Sequence, residues 1–204
     1  MPDVVRPGAV AWTGDNPFIY LKTDPEGEWS ALSLYFRIAA SKFGPGKLSL
    51  VVENPYGEPA EGTARLALTD NPGLARVLID EFVAKFGLFR PSEALAELEI
   101  VDGAIFTEAF DGDDWTQKAV AGTPQGRRSI ELCWRGLGAP FAVDVPGPES
   151  GTGKHEMFAV FRIADGGEIT ADGRRLPGAT VKRAFLNGLA QSAGLALSET
   201  WVEE

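Results

Sequence analysis

Hydrophobic and polar residues alternate along residues 29–68, which is the pattern of β-strands. Over residues 29–39, Leu32, Leu34, Phe36 and Ile38 fall on one face, and Ser33, Tyr35 and Arg37 fall between them. A period of two is expected for a strand with one buried face. The same alternation predicts two more strands, which carry Leu48, Leu50 and Val52, and Leu66 and Leu68.

Two segments carry the sequence signals of helices. The first spans residues 72–86, with Pro72 at its first position, apolar residues at helical spacing and Gly87 as a stop. The second spans residues 177–193 and has the same arrangement of proline, apolar stripe and closing glycine. Each helix is expected to lay one apolar stripe against the sheet.

Strands and turns are also expected beyond the first helix. Asp102-Gly103 stands between two short apolar segments, which predicts a two-residue hairpin turn, and Asp165-Gly166-Gly167 is expected to turn the chain. Alternation predicts four further strands, at residues 129–135, 156–164, 168–174 and 195–202.

A short internal echo bears on the domain organisation. Residues 36–39, Phe-Arg-Ile-Ala, recur as residues 161–164, each on a predicted strand that precedes a predicted helix. We expect one domain, 1–204, in which pseudo-repeated halves 1–110 and 111–204 share a core, with coincidence among common residues as the alternative. The predicted fold class is α+β, a predominantly antiparallel sheet packed against two main helices, and a barrel-like closure of the sheet stays open.

Composition and charge restrict the partners. The 204 residues have a formal net charge of −10, which opposes binding to nucleic acid. The N-terminus has no basic-then-apolar leader, and no apolar run reaches the length of a membrane span, so no membrane association is expected. A single cysteine excludes an internal disulfide and agrees with a cytoplasmic location.

Three local motifs do not support the chemistry that they suggest at first sight. Residues 147–155 carry the glycines and the lysine of a phosphate loop, but Pro148 replaces a glycine and a strand follows instead of a helix. The acidic turn 111–114 lacks the further ligands of a calcium loop. Cys133 and His155 lie on different strands and on faces of different phase, which does not favour a catalytic pair. No cofactor and no metal site is expected.

The arginines of the echo are the candidate binding residues. Arg37 and Arg162 both lie on the strand face opposite the core-forming Phe and Ile, where two guanidinium groups could clamp a carboxylate or phosphate. Tyr35, Glu131 and Glu156 are expected to line the same face. The alternative is that both arginines cover an exposed sheet face and pair with nearby glutamates.

These observations leave three functional classes open. The first is a domain that binds a small, anionic, apolar-bodied molecule. The second is an acidic protein-interaction or chaperone-like module, a homodimer included, and the third is an enzyme whose active site comes from distant strands. The five tryptophans could line an apolar pocket, although large aromatic residues more often form the core. These tryptophans are Trp12, Trp29, Trp115, Trp134 and Trp201.

Overall fold

The computed structural model describes residues 8–203 and is mostly β-structure, with 57% of residues in strands and 11% in helical segments. The strands, numbered in chain order, are β1 Ala9–Asp15, β2 Phe18–Leu21, β3 Ala31–Ser41, β4 Gly46–Glu53, β5 Arg65–Thr69, β6 Glu99–Val101, β7 Ile105–Asp111, β8 Asp114–Thr123, β9 Gly126–Leu137, β10 Phe141–Val145, β11 His155–Ala171, β12 Arg174–Arg175, β13 Lys182–Phe185, β14 Gly188–Gln191 and β15 Ala193–Glu203. The helical segments are α1 Pro72–Val77, a π-helical turn Leu78–Phe82, and 3₁₀ turns at Val83–Lys85, Glu93–Glu97 and Gly147–Glu149.

Thirteen strands form one large sheet, with the order β6-β5-β4-β3-β1-β15-β11-β9-β8-β7 along its main path. Strands β2, β10 and β12 attach to the side of that path, and β13 and β14 form a separate two-stranded hairpin. The β5–β6 pair is parallel and the other pairs are antiparallel. Because β6 and β7 are consecutive in the chain but lie at opposite ends of the path, the sheet folds over on itself.

The folded sheet makes two layers with a shared core. One hydrophobic cluster contains side chains of β3, β4 and β5 together with side chains of β8, β9 and β11. A second cluster, on the other face of β3 and β4, includes the helical segment and parts of β11 and β15. Residues 31–36 of β3 are therefore buried on both faces, where the sequence predicts a half-buried strand, while Arg37 and Ala39 are exposed on either side of buried Ile38. Both clusters draw on both halves of the chain, while the two-half division itself stays a prediction.

The first helix lies where the sequence places it, over residues 72–85. Asn71 caps it by accepting a hydrogen bond from the backbone N–H of Leu74 at 3.1 Å, and Pro72 occupies the first turn. The α-helical turn continues without a break into the π-helical and 3₁₀ turns that end at Lys85. Leu74, Leu78 and Phe82 are buried in the second cluster, as the helical spacing predicts.

The second predicted helix, residues 177–193, is wrong, and with it the α+β class of a sheet packed against two main helices. This segment forms an extended connection and the β13–β14 hairpin. Gly178 has a φ of +113°, and a Cβ there would lie 2.8 Å from the backbone oxygen of Lys22, so the chain is pressed against a neighbouring segment in a non-helical conformation. The helical part of the internal echo is therefore not found. Within residues 8–203, no helix combines the length and the apolar character needed to cross a bilayer.

The two predicted turns are also wrong. Asp102-Gly103 links β6, which pairs with β5, to β7, which pairs with β8 along its whole length. The longer β8 offers β7 more ladder hydrogen bonds than the three-residue β6 could. Residues 165–167 do not reverse the chain either, because β11 continues through them and exchanges β15 for β9 as its partner. Gly167 permits this, since a Cβ there would lie 2.9 Å from Cγ2 of Ile19.

Candidate functional site

A pocket lies between the β13–β14 hairpin and the part of the main sheet formed by β2, β11 and β15. Its volume is about 300 Å³. Six aromatic rings contribute to its walls, namely Phe18, Tyr20, Phe86, Phe161, Phe185 and Trp201. Three polar side chains also line it, those of Asn16, Arg183 and Glu199. A concave, mostly aromatic site with a few polar groups is typical of small-molecule binding.

The aromatic walls hold the hairpin over the sheet. Phe185 of β13 packs edge-on against Phe161 of β11, with ring centroids 5.2 Å apart, and lies 5.8 Å from Phe18 of β2. Phe18 stacks on Tyr20 at 5.2 Å. These contacts tie three separate parts of the chain together, so the pocket has a preformed wall on the hairpin side.

Glu199 is the most unusual residue of the pocket, because it is an acidic residue that is 97% buried. Its Oε1 accepts a hydrogen bond of 2.7 Å from the indole Nε1 of Trp201. Its Oε2 makes no hydrogen bond of ordinary geometry within residues 8–203. Burial raises the pKa of this carboxyl to about 8, against the opposing effects of Trp201 and the Asn16 amide. Glu199 is therefore mostly protonated and neutral at pH 7.

Asn16 supplies a second buried polar group beside Glu199. Its backbone N–H donates to the carbonyl of Ala196 at 2.8 Å, which fixes the residue against β15. The preceding residue, Asp15, accepts the backbone N–H of Ser198 at 2.9 Å and two hydrogen bonds from Arg37. The side-chain Oδ1 of Asn16 is buried and has no hydrogen-bond partner in the described part of the chain.

Arg183 brings a positive charge to the pocket from β13. Its guanidinium lies over the rings of Phe18, Tyr20 and Phe185, at 5.6, 5.2 and 5.2 Å from their centroids. Nη1 donates to the carbonyl of Ala184 at 3.1 Å, while the buried Nε has no partner among residues 8–203. The aromatic rings thus orient the guanidinium and leave donor capacity for a ligand.

Comparison with protein-family models, with curated proteins and with solved structures finds no match to this chain. What the pocket binds is therefore inferred from its own chemistry.

The close approach of β1 to β3 sets the position of the Asn16 and Glu199 wall. Gly14 lies in register with Glu199, next to an irregularity in the β1–β3 ladder. A Cβ on Gly14 would lie 2.1 Å from the backbone oxygen of Arg37, a contact that the rigid neighbouring backbone cannot relieve cheaply.

Replacing Gly14 with alanine is expected to lower the free energy of unfolding by about 2 kcal/mol or more, because the two strands must separate. Urea denaturation measures the change. Gly122→Ala, also in a strand but with no atom within 4 Å of the added Cβ, is the matched control and should stay within about 0.5 kcal/mol of the parent protein. Equal stability of the two variants would contradict the tight β1–β3 approach.

The two arginines predicted from the echo each have other partners. Arg37 donates to Asp15 at 2.8 and 2.5 Å and to Glu108 at 2.9 Å. Arg162 donates to the carbonyls of Leu137 and Gly138, both at 2.8 Å, and to Asp113 at 3.2 Å. Their strands, β3 and β11, are separated by β1 and β15, and the two arginines share no partner among the described residues.

The other predicted site residues are dispersed over the sheet. The hydroxyl group of Tyr35 donates to Glu108 at 2.6 Å, so Tyr35 lies with Arg37. Glu131 pairs with Lys118 at 2.8 Å on β8 and β9, and Glu156 lies on β11 opposite Val202. The structure therefore brings Tyr35 and Arg37 together around Glu108, and leaves Glu131 and Glu156 elsewhere.

The structure also shows where the three local motifs discussed in the sequence analysis lie. Cys133 lies opposite Glu168, near the far end of β11 from His155, so the two residues are not brought together. The segment 147–155 forms a 3₁₀ turn and then enters β11, without a helix after the loop. Residues 111–114 form the tip of the β7–β8 hairpin, and no group of three metal-ligating side chains occurs within residues 8–203.

Proposed function

We propose that this protein binds a small molecule that has an apolar body and an anionic group, and that it does so in the cytoplasm. The observation that carries the proposal is a pocket walled by six aromatic rings and lined by the polar side chains of Asn16, Arg183 and Glu199. A concave, mostly aromatic pocket with a few polar groups is typical of a small-molecule site. The cytoplasmic location is supported by the single cysteine.

The apolar body follows from the composition of the walls. Beyond the rings, Leu34, Met157 and Ala196 also face the cavity. Its volume of about 300 Å³ is at the lower end of the range for ligand pockets. A compact aromatic or branched aliphatic group fits these walls best.

The anionic group follows from Arg183. A guanidinium binds carboxylate or phosphate through two parallel hydrogen bonds, and this one is already oriented by aromatic rings. Glu199, the nearest acidic group that lines the pocket, is neutral near pH 7, so it does not cancel the positive charge of Arg183. The overall net charge of −10 makes this local positive charge the feature that would attract an anion.

Replacing Arg183 with methionine is expected to weaken binding of an aryl carboxylate by about ten-fold or more, because a charge-assisted hydrogen bond is lost. The measurement is calorimetry with 3-phenylpropionate and with any molecule that mass spectrometry finds in the purified protein. Lys182→Met, the adjacent exposed residue of the same hairpin, is the matched control and should bind like the parent protein. Equal affinity of the Arg183 variant and the Lys182 variant would refute the anion site.

The clamp formed by Arg37 and Arg162 stays a prediction. A ligand there would have to displace Asp15 and Glu108 from Arg37, and two backbone carbonyls from Arg162. The Arg183 pocket requires no such exchange, and it is the site that we favour.

A protein-interaction module is the second candidate, and one observation favours it. Strand β7 lies at an end of the sheet, and two of its large apolar side chains are exposed, Ile105 to 73% and Phe110 to 63%. Such an edge can pair with a strand of a partner polypeptide, a second copy of the chain included. Light scattering separates the two candidates, since a dimer that Ile105→Lys dissociates would favour the interaction module.

A further inference from the structure

Strand β7 ends the main path of the sheet, and one of its two sides has no neighbouring strand. Within residues 8–203 it pairs with β8 over its full length, Ile105–Asp111, and with no other strand. Ile105 is 73% exposed and Phe110 is 63% exposed, although both are large apolar residues. An edge strand of this length with exposed apolar side chains is a template for pairing with another strand.

The hairpin that joins β7 to β8 determines which backbone groups face the open side. Its loop has two residues, Gly112-Asp113, and it is flanked by Asp111 and Asp114, which are paired. In such a hairpin the two flanking residues form a hydrogen-bonded pair, and the bonding then alternates along the strand. Residues 105, 107, 109 and 111 therefore bond to β8. The N–H and C=O groups of residues 106, 108 and 110 point to the open side.

A second copy of β7 fits these outward-facing groups. Antiparallel pairing with Glu108 on a two-fold axis places Phe106 opposite Phe110 of the second copy, and Glu108 opposite its own counterpart. The three outward-facing residues of each copy then all lie in hydrogen-bonded pairs, each of which exchanges two backbone hydrogen bonds. Phe106 and Phe110 also form cross-strand aromatic pairs, which stabilise antiparallel sheets.

The charges at the centre of this pairing are balanced. Glu108 accepts hydrogen bonds from the hydroxyl group of Tyr35 at 2.6 Å and from Nη1 of Arg37 at 2.9 Å, and it forms an ion pair with Lys47 at 3.4 Å. Arg37 also forms an ion pair with Asp15. Two carboxylates in each copy are thus matched by two cationic side chains. The two Glu108 residues meet without the excess of like charge that destabilises a directly opposed pair.

We propose that two copies of this chain associate through β7, so that the sheet of one copy continues into the sheet of the other across a two-fold axis at Glu108. None of the residues that line the aromatic pocket belongs to β7, so this interface does not depend on ligand binding. It gives the interaction module, the second candidate function, a defined partner. One strand from each copy makes a small interface, and we expect a dissociation constant on the order of 10–100 μM.

Disulfide cross-linking tests the register of the two strands. Thr107 and Ala109 are exposed, and the register places Thr107 opposite Ala109 of the second copy, with Cα atoms about 4.5 Å apart, a distance that a disulfide spans. Mild oxidation of an equimolar mixture of Thr107→Cys and Ala109→Cys, at about 200 μM, is expected to convert most of the protein into cross-linked heterodimer.

Two controls accompany this mixture. Each variant oxidised alone should stay uncross-linked, because identical positions lie about 8 Å apart in this register, beyond the reach of a disulfide. A mixture of Thr107→Cys with Asp111→Cys, also exposed but two residues out of register, should likewise stay uncross-linked. The native Cys133 is buried and present in every sample, so it contributes equally to all of them.

Sedimentation equilibrium tests the association without added cysteines. The mass of the parent chain is expected to rise from 21.8 kDa toward twice that value between about 5 and about 500 μM. Phe110→Lys is expected to weaken the dimer at least ten-fold, because a charged side chain replaces the ring that faces Phe106 of the second copy. Phe141→Lys, which changes an exposed phenylalanine on β10, is the matched control and should dimerise like the parent protein.

The outcomes keep this proposal separate from the pocket. A parent chain that stays monomeric up to about 500 μM would overturn the β7 dimer and leave the small-molecule site untouched. A dimer that Phe110→Lys does not weaken would place the interface elsewhere. Cross-linking of Thr107→Cys with Asp111→Cys in place of Ala109→Cys would refute the axis at Glu108.

Discussion

Replacing Trp134 with alanine is expected to lower the free energy of unfolding by about 3–5 kcal/mol. Trp134 on β9 is fully buried and stacks on Trp115 of β8, with ring centroids 4.8 Å apart. Its indole Nε1 donates to the carbonyl of Phe18 at 2.9 Å, which connects the β8–β9 layer to the strand that forms the pocket wall. Loss of this side chain removes a large apolar contact and the hydrogen bond from Nε1 to the carbonyl of Phe18.

Equilibrium urea denaturation measures this effect. Trp134→Phe, which keeps an aromatic ring but not the indole N–H, is the matched variant and should lose less, about 1–3 kcal/mol. A loss below about 1 kcal/mol for Trp134→Ala would contradict the packing of the two layers described above.

The stability of the parent protein is expected to fall as the pH rises from about 5 to about 8, because of Glu199. Burial raises the pKa of its carboxyl group in the folded state to about 8, from its usual 4.5, and the charge of Asp15 adds to this effect. Between these two values the unfolded chain has lost the proton while the folded chain keeps it. The unfolded state therefore binds fewer protons, and stability falls by about 1.4 kcal/mol for each pH unit in this window.

Glu199→Gln is the variant that isolates this effect, because its side chain stays neutral in both states. Urea denaturation of both proteins at pH 5 and pH 8 gives four free energies of unfolding. The parent protein is expected to lose about 3–4 kcal/mol more than the variant between the two pH values, since contributions from other groups cancel. Parallel losses in the two proteins would show that Glu199 ionises freely in the folded state.

The strands were predictable where the alternation of residues was regular. Those around Leu34, Leu50 and Leu66 form as expected, because a period of two has few other interpretations. The helix predicted over residues 177–193 was wrong, because Val181, Phe185 and Leu189 have a spacing that suits a helix as well as a hairpin. The outcome was decided by contacts between distant residues, such as Phe185 with Phe18, and by the close approach of Gly178 to Lys22.

The pocket was harder to predict than the strands. Glu199 stands in phase with Leu197 and Trp201 on the predicted last strand, so an acidic residue on an apolar face was a signal present in the sequence. Arg183 carried no such signal, because its position over the pocket depends on a hairpin in place of the predicted helix. Asn16 lies in a short link, and the sequence gives no indication that the link packs against β15.

The central claim is that the aromatic pocket binds a small molecule, and methyl NMR of Met157 tests it most directly. Met157 lines the pocket and is one of two methionines in the chain, so its labelled methyl signal can be assigned with Met157→Leu. On titration with 3-phenylpropionate, we expect this signal to shift and to saturate at the concentration at which calorimetry reports full binding. A Met157 signal that stays in place while calorimetry shows binding would put the ligand elsewhere and contradict the account.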